Sequence, residues 1–378
     1  MALTVIQGAD LSSRNTFGMR VSCRRLVEYG TEQDLRDYLA ALPSEEPLFH
    51  IGGGSNLLFT KDFPGTVLHS CIKFIESLEA AAGEGSGGCC TPPGENSGLL
   101  KKASPDISAA PAIEEVLLRV GAGVVWDDLC EWCAEKGLWG TENLSLIPGE
   151  VGAAAVQNIG AYGREVKDLI VRVECIDLKT GEKVVFDNGD CRYGYRDSAF
   201  KNELKGKYAV TAVVLKVSEE YSPELDYGHV REAVIREYGS DEKLTPMMVR
   251  KVIIDTRKGK LPEPSEVGSA GSFFRNPYIT ENQYRTVESV AEREGLGPVP
   301  HFPVEGGLVK VPAAWMIDKC GWKGVRRGNA GVWDTQPLVL VNATGKASPD
   351  EILGLENEII ASVKNRFGVT LVPEVEHI

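Results

Sequence analysis

The sequence predicts an α+β protein of two or three domains, built around a buried bed for a flat, hydrogen-bonding ligand. Its 378 residues suffice for more than one hydrophobic core. Short apolar strands and capped helices follow one another without an internal repeat. Residues 143–165, NLSLIPGEVGAAAVQNIGAYGRE, obey no single period. Their apolar positions neither alternate nor recur every three or four places, so neither a half-buried strand nor an amphipathic helix accounts for them. Gly149, Gly152, Gly160 and Gly163 let a backbone come close to a planar ligand, because no Cβ stands in the way. Gln157 and Asn158 would leave amides unpaired if they were merely buried. A tightly packed Gly/Ala connection between two elements would have the same composition.

An apolar content of 43% with 25% charged residues is that of a soluble globular protein. The net charge of −13 argues against nucleic acid as a partner, since phosphate backbones need an excess of Lys and Arg on some face. A small phosphorylated ligand held by local donors remains compatible. The first residues contain no basic stretch leading into an apolar run, so no signal peptide is expected. No run of apolar residues is long enough for a membrane span. Nine cysteines at irregular spacing read as reduced thiols of a cytosolic protein. Cys130 and Cys133 share a helical face with Trp126 and Leu129, and read as core. No neighbouring pair completes a zinc site, and the five histidines are scattered, so no metal is expected.

In chain order, Thr31 caps a helix with Leu35, Tyr38, Leu39 and Leu42 turned inward, ended by Pro43. The strand LFHI leads into GGGSN at 52–56. A glycine-rich turn after a strand presents N–H groups to phosphate. The dinucleotide fingerprint fails here, because Leu57 stands where its third glycine belongs. The turn is thus a pyrophosphate loop outside a Rossmann fold, or simply a turn. Residues 80–112 are rich in Gly, Ser and Pro and read as a flexible surface insertion carrying Cys89 and Cys90. A strand, the helix with Cys130, the bed and a hairpin turning at 179–182 follow. CRYGYRDSAFK sets Arg196 and Asp197 between aromatics, outside any period. After a further strand comes a polar segment around Tyr227, then a helix from Thr245 with Pro246 in its first turn. KLPEP leads to GSAGSFFRNP, where Ser269 and Ser272 are expected to be strained or held in a loop. Trp315, Trp322 and Trp333 read as core. Ser348 starts a helix with Ile352, Leu355, Ile359 and Val363 on one face. TLVPEVEHI is a strand interrupted by Pro373, with Glu374 just after it.

Together IGGGSNLL, ENLSLIPGEVGAAAVQNIGAYG, YRDSAFK, KLPEP, GSAGSFFRNP and the terminal PEV resemble one family. These are the UDP-N-acetylenolpyruvoylglucosamine reductases, or UDP-N-acetylmuramate dehydrogenases, bacterial flavoenzymes of peptidoglycan precursor synthesis. The segment around Tyr227 resembles the loop of their type I subgroup. The resemblance runs from about Asn15 to Val375, apart from the insertion. It implies a two-subdomain FAD-binding module of the vanillyl-alcohol-oxidase (PCMH) type plus a C-terminal α+β substrate-binding domain, and so explains the failed fingerprint. The division it implies is 1–75 and 76–218 for the two FAD subdomains, 219–362 for the substrate domain, and 363–378 for a segment returning to the active site. It also implies FAD and NADPH as cofactors, a nucleotide-sugar substrate, and a monomer of the bacterial cytoplasm.

By the same resemblance Gly52, Gly53, Gly54, Ser55 and Asn56 wrap the FAD pyrophosphate. Ile147, Pro148, Gly149, Gly152, Gln157, Asn158, Gly160, Ala161, Tyr162 and Gly163 line the rest of the flavin. The implied reaction passes hydride from NADPH to FAD and on to the terminal methylene carbon of an enolpyruvyl ether, leaving an enolate that needs one proton. Such a charge needs oriented donors. Ser272 matches the proton donor, Arg196 the guanidinium that pairs with the carboxylate, and Glu374 the acid beside the enolate carbon. Glu374 should be protonated to assist, so burial is expected to raise its pKa. Tyr195, Tyr227, Lys260, Asn276 and Gln336 match substrate contacts, with Lys260 and Tyr227 on the diphosphate; Arg275 is a positive flank. The structural readings are that Ser272 caps a turn, Arg196 bridges Asp197 at the surface, and Glu374 is a solvated tail residue. The competing functions are a related FAD-dependent sugar or alcohol oxidase, and a non-catalytic nucleotide-sugar binding protein.

Overall fold

The computed structural model describes residues 3–43, 45–78, 115–304 and 306–378. The expected insertion at 80–112, with Cys89 and Cys90, lies outside the described residues. A first sheet runs in the order Thr4–Asp10, Ser22–Tyr29, Phe63–Ser70, Leu48–Ile51. Its first pair is antiparallel and the other two are parallel. Parallel strands need a crossover, and α1 (Glu32–Ala40) provides it. Thr31 caps α1 in a reciprocal box: its hydroxyl accepts from the Asp34 N–H, and the Asp34 carboxylate accepts from the Thr31 N–H at 3.0 Å. Leu35 is fully buried beneath the helix, with Tyr38 and Leu39 at the edge of the same core.

The second sheet is antiparallel throughout, in the order Lys183–Asp187, Ile170–Asp177, Tyr208–Ser218, Glu115–Gly121, Ile75–Leu78. Asp177 closes the predicted hairpin by accepting from the N–H groups of Lys179 and Thr180. Helix α2 (Trp126–Glu135) buries Trp126, Leu129, Cys130 and Cys133 against this sheet. Burial pushes both thiols up, Cys133 to about 12, so the C-x-x-C spacing is a packing pattern of inert thiols.

The bed departs from its expectation. Val151–Gln157 is a helix, α3. Its period is invisible in the sequence because it has no polar face: Val151, Gly152, Ala154 and Ala155 are all buried. A Cβ at Gly152 would stand 2.8 Å from that of Ala122. Asn158, at φ 49°, ends the helix in the left-handed conformation. Helices α4 (Val230–Tyr238) and α5 (Pro246–Lys258) share a core with Trp139, which bridges Ser218 at the end of the second sheet, through Val234, Val249 and Ile253. The segment after 219 thus begins with α5 against α2, before the C-terminal sheet starts. Arg250 of α5 clasps Asp127 of α2 at 2.5 Å, and the same carboxylate accepts from the Leu146 N–H.

The C-terminal part has a sheet in the order Gly268–Ser272, Val339–Asn342, Ala330–Val332, Arg326–Arg327, and a smaller one in the order Tyr278–Thr280, Leu308–Lys310, Phe302–Val304. Helices α6 (Glu281–Arg293), α7 (Ala313–Lys319) and α8 (Pro349–Phe367) pack around them. Ser348 and Glu351 form the box that starts α8, and Ile352, Leu355, Ile359 and Val363 are buried as predicted. Ser269 and Ser272 lie on a strand rather than in a loop. The register slips between them, with Gly271 at φ 68°, so the strand carries a bulge there. The core of this part runs on into the first sheet: the rings of Phe17 and Phe273 meet edge-on at 6.2 Å. At the end of the chain Pro373 bridges Phe274, and Glu376–His377 pairs in parallel with Leu57–Leu58. The expected terminal strand is therefore two short pieces on either side of Glu374. Among the described residues no helix is long and apolar enough to cross a membrane.

Candidate active site

A cavity of about 520 Å³ opens where the two sheets and the C-terminal part meet. Of the residues expected at the cofactor, Gly52, Gly54, Ser55, Asn56, Ile147, Pro148, Gly149, Gly152, Gln157 and Gly160 form its wall. Tyr195, Arg196, Ser272, Asn276 and Glu374 join them. Gly53, Asn158, Ala161, Tyr162, Gly163, Tyr227, Lys260 and Gln336 are not on the wall.

Steric detail explains the glycines. Gly54 has φ 64°, and a Cβ there would sit 2.0 Å from the Arg14 carbonyl oxygen. A Cβ at Gly52 would lie 2.8 Å from the Ala153 Cβ, and one at Gly53 3.3 Å from the Gly149 Cα. The Ser55 hydroxyl donates to the Pro148 carbonyl at 2.8 Å, lacing the turn to the bed. Only bare backbone fits between these two segments. A glycine-walled crevice that continues into an apolar pocket with a few polar groups fits the pyrophosphate and ring system of FAD.

The residues off the wall have identifiable duties. The Asn158 amide is used up within the protein. Its Nδ2 donates to the Gly194 carbonyl at 2.7 Å and to Glu165 Oε2 at 3.1 Å, while Oδ1 accepts from the Lys167 N–H at 3.2 Å. It knots the bed to the 194–197 turn. Tyr162 packs on the core of α4 and α5. A Cβ at Gly163 would lie 3.0 Å from that of Tyr227, which is 52% exposed beside the end of the bed. Lys260 is exposed, and its carbonyl accepts from the Thr335 hydroxyl at 2.7 Å. Gln336 Oε1 accepts from the N–H of Leu338, itself on the cavity wall.

Arg196 sits at φ 54°, a conformation unfavourable for a residue with a Cβ, in a turn closed by two hydrogen bonds between Gly194 and Asp197. That backbone aims its guanidinium inward. It donates to the carbonyl of Gly160 and, at 3.4 Å, to that of Asn158, and its Nε lies 3.1 Å from Glu374 Oε1. Asp197 instead accepts from Asn202, so the surface-bridge reading of Arg196 does not hold. Glu374 is held from both sides: its N–H donates to the Phe273 carbonyl at 2.7 Å, and its carbonyl accepts from Asn56 Nδ2 at 3.2 Å. Burial drives its pKa up against the opposing pull of Arg196, Lys201 and Arg275. It is not a solvated tail residue. The Tyr195 hydroxyl accepts from Asn276 Nδ2 at 3.2 Å, and Asn276 Oδ1 accepts from the Ala313 N–H at 3.0 Å, a link from the second subdomain to the C-terminal part.

Two cations on or behind the wall escaped the sequence reading. Arg257, in the last turn of α5, faces the cavity, and burial lowers its pKa. Its signal was an arginine four residues after Ile253, on the buried side of the helix. Lys201 donates to Gln157 and to the Arg196 carbonyl, and nothing local in YRDSAFK marks it. Glu28, His69 and Cys71 also converge, which the scattered histidines did not foretell. Arg14 pairs with Glu28 at 2.5 Å, and the two His69 nitrogens face Glu28 and Glu150 at 3.2 and 2.9 Å, so this donor set is satisfied internally.

Comparison with known proteins gives a consistent set of likenesses. A family model described as UDP-N-acetylenolpyruvoylglucosamine reductase, C-terminal domain, matches residues 263–378, and an FAD binding domain model matches 109–187. The UDP-N-acetylenolpyruvoylglucosamine reductase of Bacteroides fragilis (strain YCH46) is 42% identical over 372 residues, 98% of this chain and 99% of that one. Its counterpart in Porphyromonas gingivalis (strain ATCC 33277) is 38% identical over the whole of both chains. The crystal structure of UDP-N-acetylenolpyruvylglucosamine reductase from Thermus caldophilus superposes with a TM-score of 0.60 at 22% identity, over 100% of this chain and 99% of that one, a likeness of fold.

Proposed function

Because the chain belongs to the UDP-N-acetylenolpyruvoylglucosamine reductase family, we propose that its cavity is where the enolpyruvyl sugar is reduced, with Ser272, Arg196 and Glu374 at the reacting group. The protein is an FAD-dependent oxidoreductase of peptidoglycan synthesis that reduces UDP-N-acetylglucosamine enolpyruvate to UDP-N-acetylmuramate with NADPH. The observation that carries the site assignment is convergence: the glycine turn, the bed, the bulged serine strand and the terminal glutamate all open on one cavity.

Held by the glycine turn at 52–56 and the bed at 147–163, FAD would supply the hydride, drawn from NADPH, for the terminal methylene carbon of the enolpyruvyl group. Everything else is left to side chains. The electron pair displaced from the double bond spreads over the adjacent carbon and its carboxylate. The Arg196 guanidinium takes that carboxylate as a planar, charge-matched fork, leaving its contact with Glu374. Glu374, buried and relieved of its cation, is then held in its acid form and donates a hydrogen bond beside the developing charge. Ser272 gives its hydroxyl proton to the enolate carbon, completing the saturated lactyl ether, and is reprotonated before the next turnover. The bulge at Gly271 turns Ser272 toward the cavity.

Tyr195, Tyr227, Lys260, Asn276 and Gln336 are assigned to substrate by the family resemblance, Lys260 and Tyr227 to its diphosphate; the place of Tyr195 and Asn276 on the cavity wall supports their share of this reading. The FAD module comprises the two subdomains 1–75 and 76–218, the substrate domain 219–362, and 363–378 returns to the site. We assign the protein to the bacterial cytoplasm, where NADPH and nucleotide sugars are found, as a monomer.

The test is an absorbance spectrum under anaerobic conditions. A flavin band that bleaches with NADPH and recovers on adding the enolpyruvyl UDP-sugar is the expected result. Recovery with oxygen alone would favour a sugar or alcohol oxidase, and absence of flavin after reconstitution would overturn the assignment.

A further inference from the structure

A second, polar cavity of about 260 Å³ lies behind the active site, and Glu374 belongs to the walls of both. Lys201 lines only the second. We propose, resting on the reaction assigned above, that Lys201 is a positioning residue for this reduction: its ammonium holds the Gln157 amide and the left-handed Arg196 turn in the arrangement that presents the guanidinium to Glu374.

The geometry is specific. Lys201 Nζ donates to Gln157 Oε1 at 2.7 Å and to the Arg196 carbonyl at 3.1 Å. Because the ammonium takes Oε1, the Gln157 amide is fixed in one of its two orientations, with its Nε2 left buried and without a hydrogen-bond partner among the described residues. Because it takes the Arg196 carbonyl, it pins the peptide that follows the φ 54° residue, the backbone setting on which the direction of the guanidinium depends. Among the described residues Lys201 has no carboxylate within ion-pair distance; its two acceptors are neutral carbonyls, both from residues of the active-site wall. Asp197, Glu374 and Glu376 face it at longer range and favour its charge, while Arg275 and burial oppose it and bring its pKa down to about 8. A half-buried cation kept at that cost, with no ion-pair partner of its own among the described residues, is accounted for by what it holds in place.

The test compares the wild-type holoenzyme with Lys201→Met and Lys201→Arg in two separate half-reactions, flavin bleaching by NADPH and recovery with the enolpyruvyl UDP-sugar. It adds titration of the Glu374 carboxyl in FAD-free protein by isotope-edited infrared spectroscopy. With Lys201→Met, recovery slows about tenfold or more while bleaching stays within about threefold of wild type. The Glu374 midpoint moves upward, since a cation that lowers it is gone, and Lys201→Arg returns the midpoint and part of the rate. Recovery within about threefold of wild type, or an equal fall in both half-reactions, overturns the proposal. If Lys201→Met does not fold, Lys201→Gln is put to the same criteria. A wild-type enzyme that does not recover with the enolpyruvyl sugar would instead remove the assigned reaction, so the two failures are distinct.

Discussion

Arg196 Nε stands 3.1 Å from Glu374 Oε1, so the cation we propose for the substrate carboxylate is paired with a protein carboxylate in the structure. The pair couples binding to acid–base state. Burial raises the Glu374 pKa and Arg196 restrains the rise. A substrate that captures Arg196 lifts the restraint at the moment the acid form is wanted. The same sign predicts a mutant. In FAD-free protein the Glu374 carboxyl titrates above the ordinary carboxylate range, and Arg196→Met moves it higher still, as isotope-edited infrared spectroscopy would register. A fall in the midpoint on removing Arg196 would contradict this account.

Ser272→Ala keeps the fold and the flavin, because Ser272 lies on a strand held by its partner Val339. The variant oxidises one NADPH per flavin at near wild-type rate. Its flavin is reoxidised by the enolpyruvyl sugar orders of magnitude more slowly, roughly the ~10²–10⁴ contributed by a positioned proton donor. Stopped-flow absorbance separates the two steps, and normal reoxidation would take Ser272 out of the mechanism.

Gly54→Ala meets two obstacles at once, φ 64° and a Cβ placed 2.0 Å from the Arg14 carbonyl oxygen. Backbone strain alone costs about 1 kcal/mol, and relieving the overlap moves the turn that we propose holds FAD. The purified variant is expected to have a lower FAD content and a lower Tm. Full flavin occupancy with an unchanged Tm would show that the turn tolerates a side chain.

Glu356 is buried in α8 with its pKa raised to about 7 by desolvation. Since the folded value exceeds the unfolded one, the ionised form costs stability. That cost is absent below the ordinary range near 4.5 and complete above about 7. Glu356→Gln therefore stabilises the protein at pH 8, by up to about 3 kcal/mol, and changes little at pH 4.5. Urea unfolding at both pH values checks the sign, and an equal gain at the two would refute the cause.

Much of the fold was legible because its signals are local. Thr31, Thr245 and Ser348 each start a helix by accepting an N–H three residues ahead, a bond that depends on no distant partner. The inner face of α8 and the turn at 179–182 are equally local. The bed was legible as unusual but not as a helix, since six small or apolar residues ahead of Gln157 leave no polar face to set a period. The partners of Asn158 were illegible for a related reason. Its type announced an amide needing partners, but the partners, Gly194, Glu165 and Lys167, are set by the fold of the following loop.

By itself the sequence determined helices α1, α2, α5 and α8 with the caps Thr31, Thr245 and Ser348, the glycine turn, and the motifs whose order marks the family, all of them properties of neighbouring residues. Only the tertiary structure decided that Arg196, Ser272 and Glu374 share one cavity, that Glu374 is buried beside a guanidinium, and that Lys201 and Arg257 stand at or behind its wall. The physical reason is that these meetings hang on long-range packing. Phe17 against Phe273 joins the first sheet to the serine strand, and the pairing of Glu376–His377 with Leu57–Leu58 brings the end of the chain back to the glycine turn. No local period or cap encodes either contact, because both form only when separate cores bury their apolar faces against each other.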